Sequence, residues 1–313
     1  MIQLKNTTKK YGKATAIDRI SLKIPGSGIY CLLGRNGAGK TTFMKMLAGH
    51  IPVTDGEIIV NGQIVSPHNM PKEVSYIESG SVQFDMRVSM LVDFAAQLNP
   101  GFDLAFAKKM IERFELDPRK RFAKLSFGMK TMLTTIMTLA NQSGVVLLDE
   151  PTLGFDAIMR HQFNELLLES YQANPRVIIV STHLIDEIAK VSERLIIIEK
   201  GRLLLEASME EIDEKAYTIS GNAHDIAPLL KELNTIGQTT AGSIIAAHIF
   251  DERIENAEGL TIENLSLQDF FVHIVTASAQ ASNNKHDFAN HDFARRNLSN
   301  HDFASQIGGN HNE

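Results

Sequence analysis

The sequence predicts an α/β fold built on a largely parallel sheet, and three observations carry that reading. Apolar strand-like runs alternate with helix-period segments through the middle of the chain. A glycine-rich turn ending in Lys40 follows one such run and opens a helical pattern. A second apolar run ends in two acids, Asp149 and Glu150.

In chain order, Ile20–Ile24 alternates, Ile29–Leu33 is almost wholly apolar, and Gly56–Val60 leads into the turn Asn61-Gly62. The first 80 or so residues therefore predict short strands, including an antiparallel β subdomain, with a helix from Thr41 to Leu47 and a further strand at Val74–Ile77. From Met86 to Gln142 the pattern turns helical, because Met129, Met132, Leu133, Ile136, Met137 and Ala140 recur at spacings of three and four. This is a helical insert over about 86–142. Strands return at Val145–Leu148, Val177–Val180 and Leu195–Glu199, with helices expected at about 157–173 and 183–191 between them. The motif-rich domain spans 1–215. Shorter, mixed signals over 216–280, closing at Leu267–Phe271, predict a small α+β accessory domain. Residues 281–313 carry His-Asp-Phe-Ala three times among Asn, Ser and Gly, and that low-complexity tail has too little apolar mass to offset the entropy of ordering it, so disorder is expected. Its histidines, His286, His291, His301 and His311, have no cysteine beside them and no spacing that closes a metal site.

Composition narrows the function classes. The chain has 313 residues, 43% hydrophobic, enough for a sizeable core without disulfide staples. Its single cysteine, Cys31, cannot form an internal disulfide, which fits a reducing compartment. A net charge of −6 offers no global excess of positive charge for a nucleic-acid backbone. No apolar run approaches the length of a membrane span, and the amino terminus lacks the apolar core of a signal peptide, so a cytoplasmic address is expected.

The chemistry lies in two patterns. Gly34-Arg-Asn-Gly-Ala-Gly-Lys-Thr-Thr42 fits G-x-x-x-x-G-K-[ST] in the required strand–loop–helix context. Such a loop turns its backbone N–H groups inward, here those of Gly34, Asn36, Gly37, Ala38, Gly39, Lys40, Thr41 and Thr42, so that they cradle phosphate oxygens at a helix amino terminus. Lys40 is then expected to reach the terminal phosphates and the Thr41 hydroxyl to ligate Mg²⁺. The strand Val145–Leu148 delivers Asp149 to the carboxyl end of the sheet, where ligands of open α/β sheets bind. Asp149 can hold the metal and Glu150 can polarise an attacking water. Asn284-Lys-His-Asp287 fits a guanine-reading pattern but lies in the tail rather than at a strand end, which argues against a GTPase.

Over about residues 1–215 the chain resembles the ATP-binding subunits of ABC transporters, P-loop NTPases that work in pairs. Leu125-Ser-Phe-Gly-Met129 is similar to that family's L-S-G-G-Q signature, which implies that Ser126 and Gly128 face the ATP of an opposite subunit. Pro151-Thr-Leu-Gly-Phe-Asp156 resembles the D-loop, with Asp156 its acid; His183 matches the switch histidine that contacts the γ-phosphate; Tyr11 matches the aromatic that stacks on adenine. Two departures stand out. The family's metal-ordering glutamine is absent, and counting from neighbouring landmarks puts either Glu78 or Ser79 in its place; Tyr-Ile-Glu-Ser favours Glu78, as in the glutamate variant of lantibiotic self-protection transporters. The signature has Phe127 for glycine and Met129 for glutamine. The resemblance implies an ATPase with ATP and Mg²⁺ as cofactors, a second ATPase subunit and a separately encoded permease as partners, and a position peripheral to the cell membrane. It also favours export, with peptide antibiotics or drugs among the cargoes. A soluble ABC-type ATPase of translation or DNA metabolism is the alternative, set against by the single phosphate loop and the lack of heptad runs.

Overall fold

The computed structural model describes residues 1–80, 82–254 and 259–283. The chain divides into two compact units, Met1–Met209 and the part from Glu210 onward.

The first unit opens with a hairpin of β1 (Ile2–Tyr11) and β2 (Ala14–Ile24), then β3 (Gly28–Leu33) feeding α1 (Lys40–Leu47), β4 (Asp55–Val60), β5 (Gln63–Ile64) and β6 (Val74–Glu78). A helical stretch follows: α2 (Val88–Leu98), α3 (Leu104–Arg113) and α4 (Phe127–Ala140). The chain returns through β7 (Val145–Asp149), α5 (Ala157–Ala173), β8 (Val177–Ser181), α6 (Ile185–Ile188), β9 (Arg194–Glu199) and β10 (Arg202–Ser208). The strands form a four-stranded antiparallel sheet, β2-β1-β4-β5, and a six-stranded sheet, β10-β9-β3-β8-β7-β6, in which only β10 runs antiparallel to its neighbour.

Continuous apolar sequence produces the buried strands. Every residue of β3, β7 and β8 is buried, as a parallel sheet covered on both faces requires. Cys31 is one of them, and burial pushes its thiol pKa up, so it acts as a small hydrophobe. Phe43, Met44, Met46 and Leu47 of α1 share one core with Ile2, Leu4 and Ile58 of the antiparallel sheet and Leu32, Leu147 and Ile179 of the parallel one. Each such side chain contributes about 1.5–3 kcal/mol by leaving water. The helix carrying Lys40 is thereby fixed between two sheets.

Two expectations change at element scale. The segment 183–191 forms only the short α6, because the N–H groups of Val191 and Ser192 and the Ser192 hydroxyl all converge on the Ile188 carbonyl and end the turn. A strand at the extreme amino terminus, β1, was not legible and forms the centre of the antiparallel sheet.

The second unit comprises α7 (Met209–Lys215), whose first residue closes the first unit, then β11 (Ala216–Asn222), α8 (Ala223–Ile226), β12 (Thr235–Ala241), β13 (Ile244–Phe250), β14 (Thr261–Asn264) and α9 (Leu267–Asn283). Its antiparallel sheet has the order β12-β13-β11-β14. One face packs Tyr217, Ile219, Ala247 and Ile249 around Ile226 of α8. On the other face, α9 sets Phe270 5.0 Å from Phe250 and stacks His273 on His248 at 3.8 Å. α9 runs through residue 280 to Asn283, past the limit set for the accessory domain. The His-Asp-Phe-Ala repeats and their histidines lie outside the described residues. Among the described residues no helix is long and apolar enough to cross a membrane.

Candidate functional site

β3 ends at Leu33, and the next six residues curl tightly before α1 begins. A Cβ on Gly34 would lie 2.3 Å from the Ile198 carbonyl oxygen, and Gly39, at φ +110°, would bring one within 2.6 Å of the Ala16 carbonyl oxygen. Only glycine lets the loop approach β9 and β2 this closely. The result is a cavity of about 400 Å³ lined by the 35–42 loop and the start of α1, by Ala16, and by Asp149 and Glu150. It brings together the residues the loop motif named from Asn36 to Thr42. Lys40 is 8% exposed; its Nζ donates to the Gly34 carbonyl at 2.7 Å and stands 3.9 Å from Glu150 Oε1. A buried ammonium at a helix amino terminus, with main-chain amides around it, is built to receive an anion.

Asp149 and Glu150 close the other side. Asp149 is 3% exposed, and the Ser181 hydroxyl of the neighbouring strand donates to its Oδ1. Glu150 adopts φ +51°, a left-handed conformation that costs a non-glycine residue about 1–3 kcal/mol. Four hydrogen bonds hold it there. Its N–H donates to the Ser181 carbonyl at 3.1 Å and to Ser181 Oγ at 3.0 Å, while its carbonyl accepts from Ser79 Oγ at 2.6 Å and from the Leu153 N–H at 3.1 Å. The bend swings the Glu150 carboxylate off the strand axis, where His183 Nδ1 comes within 2.8 Å of Oε2. The half-exposed His183 ring thus meets the same carboxylate as Lys40.

Glu78 ends β6 in register with Asp149. Its carboxylate pairs with Lys45 Nζ of α1 at 2.8 Å, and the Tyr76 hydroxyl lies 3.3 Å from Glu78 and 3.4 Å from Asp149. Burial, with both carboxylates beside it, pushes the Tyr76 phenol well above its ordinary pKa, so the phenol stays a donor. The two candidates for one position thus take separate parts: Glu78 pairs with Lys45 and shares the Tyr76 hydroxyl with Asp149, and Ser79 binds the backbone of Glu150.

Ser126, Gly128 and Asp156 do not line this cavity. They form a second group at two helix amino termini. Ser126 caps α4, accepting from the Met129 N–H at 3.2 Å, and Asp156 caps α5, accepting from the Met159 N–H at 2.9 Å. A Cβ on Gly128 would lie 2.9 Å from the Gly154 carbonyl oxygen, so the two termini are in close contact. Tyr11 is exposed at the end of β1, paired across the hairpin with Ala14, with Lys9 Nζ 5.0 Å from its ring centre.

Sequence reasoning missed Ser181, Tyr76 and Lys45. The signal available for Ser181 was its place directly before Thr182-His183 at a buried strand end; Lys45 on α1 and Tyr76 on β6 meet Glu78 and Asp149 through contacts between elements, which no local pattern displays.

A sequence model described as ABC transporter matches residues 17–153. The lantibiotic transport ATP-binding protein SrtF of Streptococcus pyogenes is 30% identical over 210 residues, covering 66% of this chain and 90% of its own length. The Nod factor export ATP-binding protein I of Burkholderia lata is 29% identical over 300 residues, covering 89% of this chain and 98% of its own. A solved dimeric structure of a bacterial ABC transporter cassette superposes with a TM-score of 0.59 at 21% identity, over 67% of this chain and 99% of that one, a likeness of fold.

Proposed function

The chain belongs to the family of ABC transporter ATP-binding subunits, and on that premise we propose that it hydrolyses ATP to power a separate membrane permease, as one of a pair of ATPase subunits. The observation that carries the reading is the convergence of Lys40, Asp149 and Glu150 on one glycine-lined cavity, with His183 set against the Glu150 carboxylate. ATP fits this cradle, since the turn excludes side chains where phosphates must approach and Lys40 offers the buried positive charge. Thr41 and Asp149, which line the cavity, are oxygen donors suited to Mg²⁺; Glu78, paired with Lys45 outside the cavity lining, reaches Asp149 through the Tyr76 hydroxyl. Bound there, Mg²⁺ would neutralise charge on the phosphate oxygens.

The residues divide the work as follows. Lys40 and the amides of the 36–42 loop hold and polarise the phosphates. Glu150, aimed by its left-handed backbone, accepts a proton from the attacking water, and His183 steadies that carboxylate and reaches for the γ-phosphate. Phosphoryl transfer asks mainly for such positioning and charge stabilisation. Tyr11 would stack on the adenine. Ser126, Gly128 and Asp156 stand apart from this cavity, which suits groups acting on the ATP of a second subunit. Around them Phe127, Leu153 and Ile158 are exposed, an apolar surface suited to burial against a second copy.

α2 exposes Met90, Phe94 and Leu98 four residues apart along one face, and this stripe is the surface for a permease. The chain is then peripheral to a membrane. Export is the direction favoured, from the similarity to lantibiotic-transport and Nod-factor-export subunits. Those similarities are to transport proteins and lend nothing to a role in translation or DNA metabolism. Glu150→Gln keeps the shape of the side chain and removes the base, so ATP turnover should fall by about a hundredfold or more while ATP binding persists. Near-normal hydrolysis by that variant would remove Glu150 from the role.

A further inference from the structure

Besides its exposed outer face, the aromatic residue in the signature segment makes inward contacts that the proposed function does not use. Phe127 is the first residue of α4, and its ring lies flush against the main chain of two loops. A Cβ on Gly154 would come within 2.5 Å of Phe127 Cδ1, and one on Gly80 within 3.0 Å of Cε2. One edge of the ring therefore rests on the 151–156 segment and the other on the loop that follows Glu78.

Both loops lead to the same atom. Gly80 follows Ser79, whose hydroxyl donates to the Glu150 carbonyl, and Gly154 follows Leu153, whose N–H donates to that same carbonyl. These are two of the four hydrogen bonds that keep Glu150 in its left-handed conformation. The ring braces the two loops just beyond their contacts with Glu150. Its own backbone is tied into the helix, since its carbonyl accepts from Thr131 Oγ1 at 3.1 Å, and the next residue, Gly128, packs on the Gly154 carbonyl. Close-packed contacts on main chain transmit displacement with little slack. A shift of the α4 amino terminus must move the Gly80 loop, the Gly154 loop, or both.

We propose that Phe127 is a positioning residue that couples the amino terminus of α4 to the backbone of Glu150, so that engagement of Ser126 with the ATP of one site sets the hydrolytic carboxylate of the other. This rests on the paired-ATPase reading above. A glycine in its place, as the family pattern has, would leave both loops without this brace. The ring is 44% exposed, which leaves its outer face open toward a second copy. It does not line the phosphate cavity, so nucleotide capture by Lys40 and its loop should not depend on it.

The test is steady-state ATP hydrolysis by the full chain over a range of ATP concentrations, for Phe127→Ala and Phe127→Leu, with Glu150→Gln alongside. Leucine replaces the part of the ring over Gly154 and falls short of Gly80. In Phe127→Ala, kcat should fall about tenfold or more with KM little changed, as expected when a reacting group is misplaced rather than substrate binding lost. The Hill coefficient should drop from near two, the number of sites, to near one. Phe127→Leu should lie between parent and alanine variant in both quantities, which keeps the test open if the alanine variant does not fold. Parent-like kcat and cooperativity in either variant, or a parent Hill coefficient of one, would overturn the proposal. A rise in KM with cooperativity intact would also overturn it, since that marks damage to the cradle. If instead Glu150→Gln hydrolyses ATP normally, the paired-ATPase reading itself has failed.

Discussion

Ser181 illustrates how much of the site depends on groups that do no chemistry. Its hydroxyl holds Asp149 Oδ1 and meets the Glu150 N–H, and its carbonyl accepts from that same N–H. Ser181→Ala keeps the carbonyl contact and orphans a buried carboxylate oxygen, so the expected cost is about 1–3 kcal/mol of stability, with turnover falling about tenfold as the acids lose their anchor. Thermal melting and kcat measured on one preparation check both; an unchanged kcat would deny Ser181 its part. The residues that announce themselves in the sequence are those whose type and spacing repeat a local physical requirement. The turn from Gly34 to Thr42 is readable because only glycine can pass so close to β9 and β2, and Asp149-Glu150 because four apolar residues carry them to a strand end. Lys45 with Glu78, and Tyr76 with Asp149, were not readable, because both pairings join residues far apart in sequence.

Among elements, α5 and β7 were legible to within a residue or so, the strand from an unbroken apolar run and the helix from its place between two such runs; that Asp156 caps α5 emerges only in the structure. β1 was hidden by its irregularity. Its register on β2 shifts between Leu4 and Thr7, with Asn6 at φ +45°, so buried positions change from Ile2 and Leu4 to Thr7 and Thr8 and the alternation breaks. Arg176, just before β8, is another feature no pattern discloses. It is buried without a carboxylate partner and donates to the carbonyls of Leu139, Ser170 and Asn174 and to Ser170 Oγ, binding the ends of α4 and α5 together. Arg176→Met would strip those acceptors of a charged donor, leaving main-chain N–H groups on the Leu139 and Ser170 carbonyls, at a cost of about 1–3 kcal/mol that chemical denaturation can measure. In the second unit, burial of the His248–His273 stack depresses both pKa values from their ordinary 6.5, the neighbouring imidazole adding to the effect at His248 while Asp269, one turn before His273, opposes it at both. Thr218 Oγ1 lies 3.0 Å from His248 Nδ1. A depressed folded-state pKa means that the unfolded chain takes up protons first. The pair's contribution is therefore full above about pH 6.5 and declines as pH falls toward the folded-state values. Hydrogen exchange of α9, corrected for intrinsic rates, should show protection falling as pH drops below about 6.5 and retained in a His248→Phe, His273→Phe double variant.

For the whole molecule, every residue assigned to ATP lies in the first unit, and the second has a core and a covered sheet of its own. The second unit was legible only as a small mixed domain, because its strands and α8 are short and its order comes from pairing distant segments, β11 between β13 and β14. The larger division of labour rests on the separation of Lys40, Asp149 and Glu150, which line the cavity, and His183, which contacts Glu150, from Ser126, Gly128 and Asp156, which stand apart. Under the proposed function these are two half-sites, which make a complete site only when two chains meet. The direct test is molar mass by light scattering of the Glu150→Gln protein with ATP, against the same protein also carrying Ser126→Arg. Sites shared between subunits require the first to reach twice the chain mass of 34.7 kDa and the second to stay at 34.7 kDa. A monomer in both, or a dimer in both, would contradict the shared site.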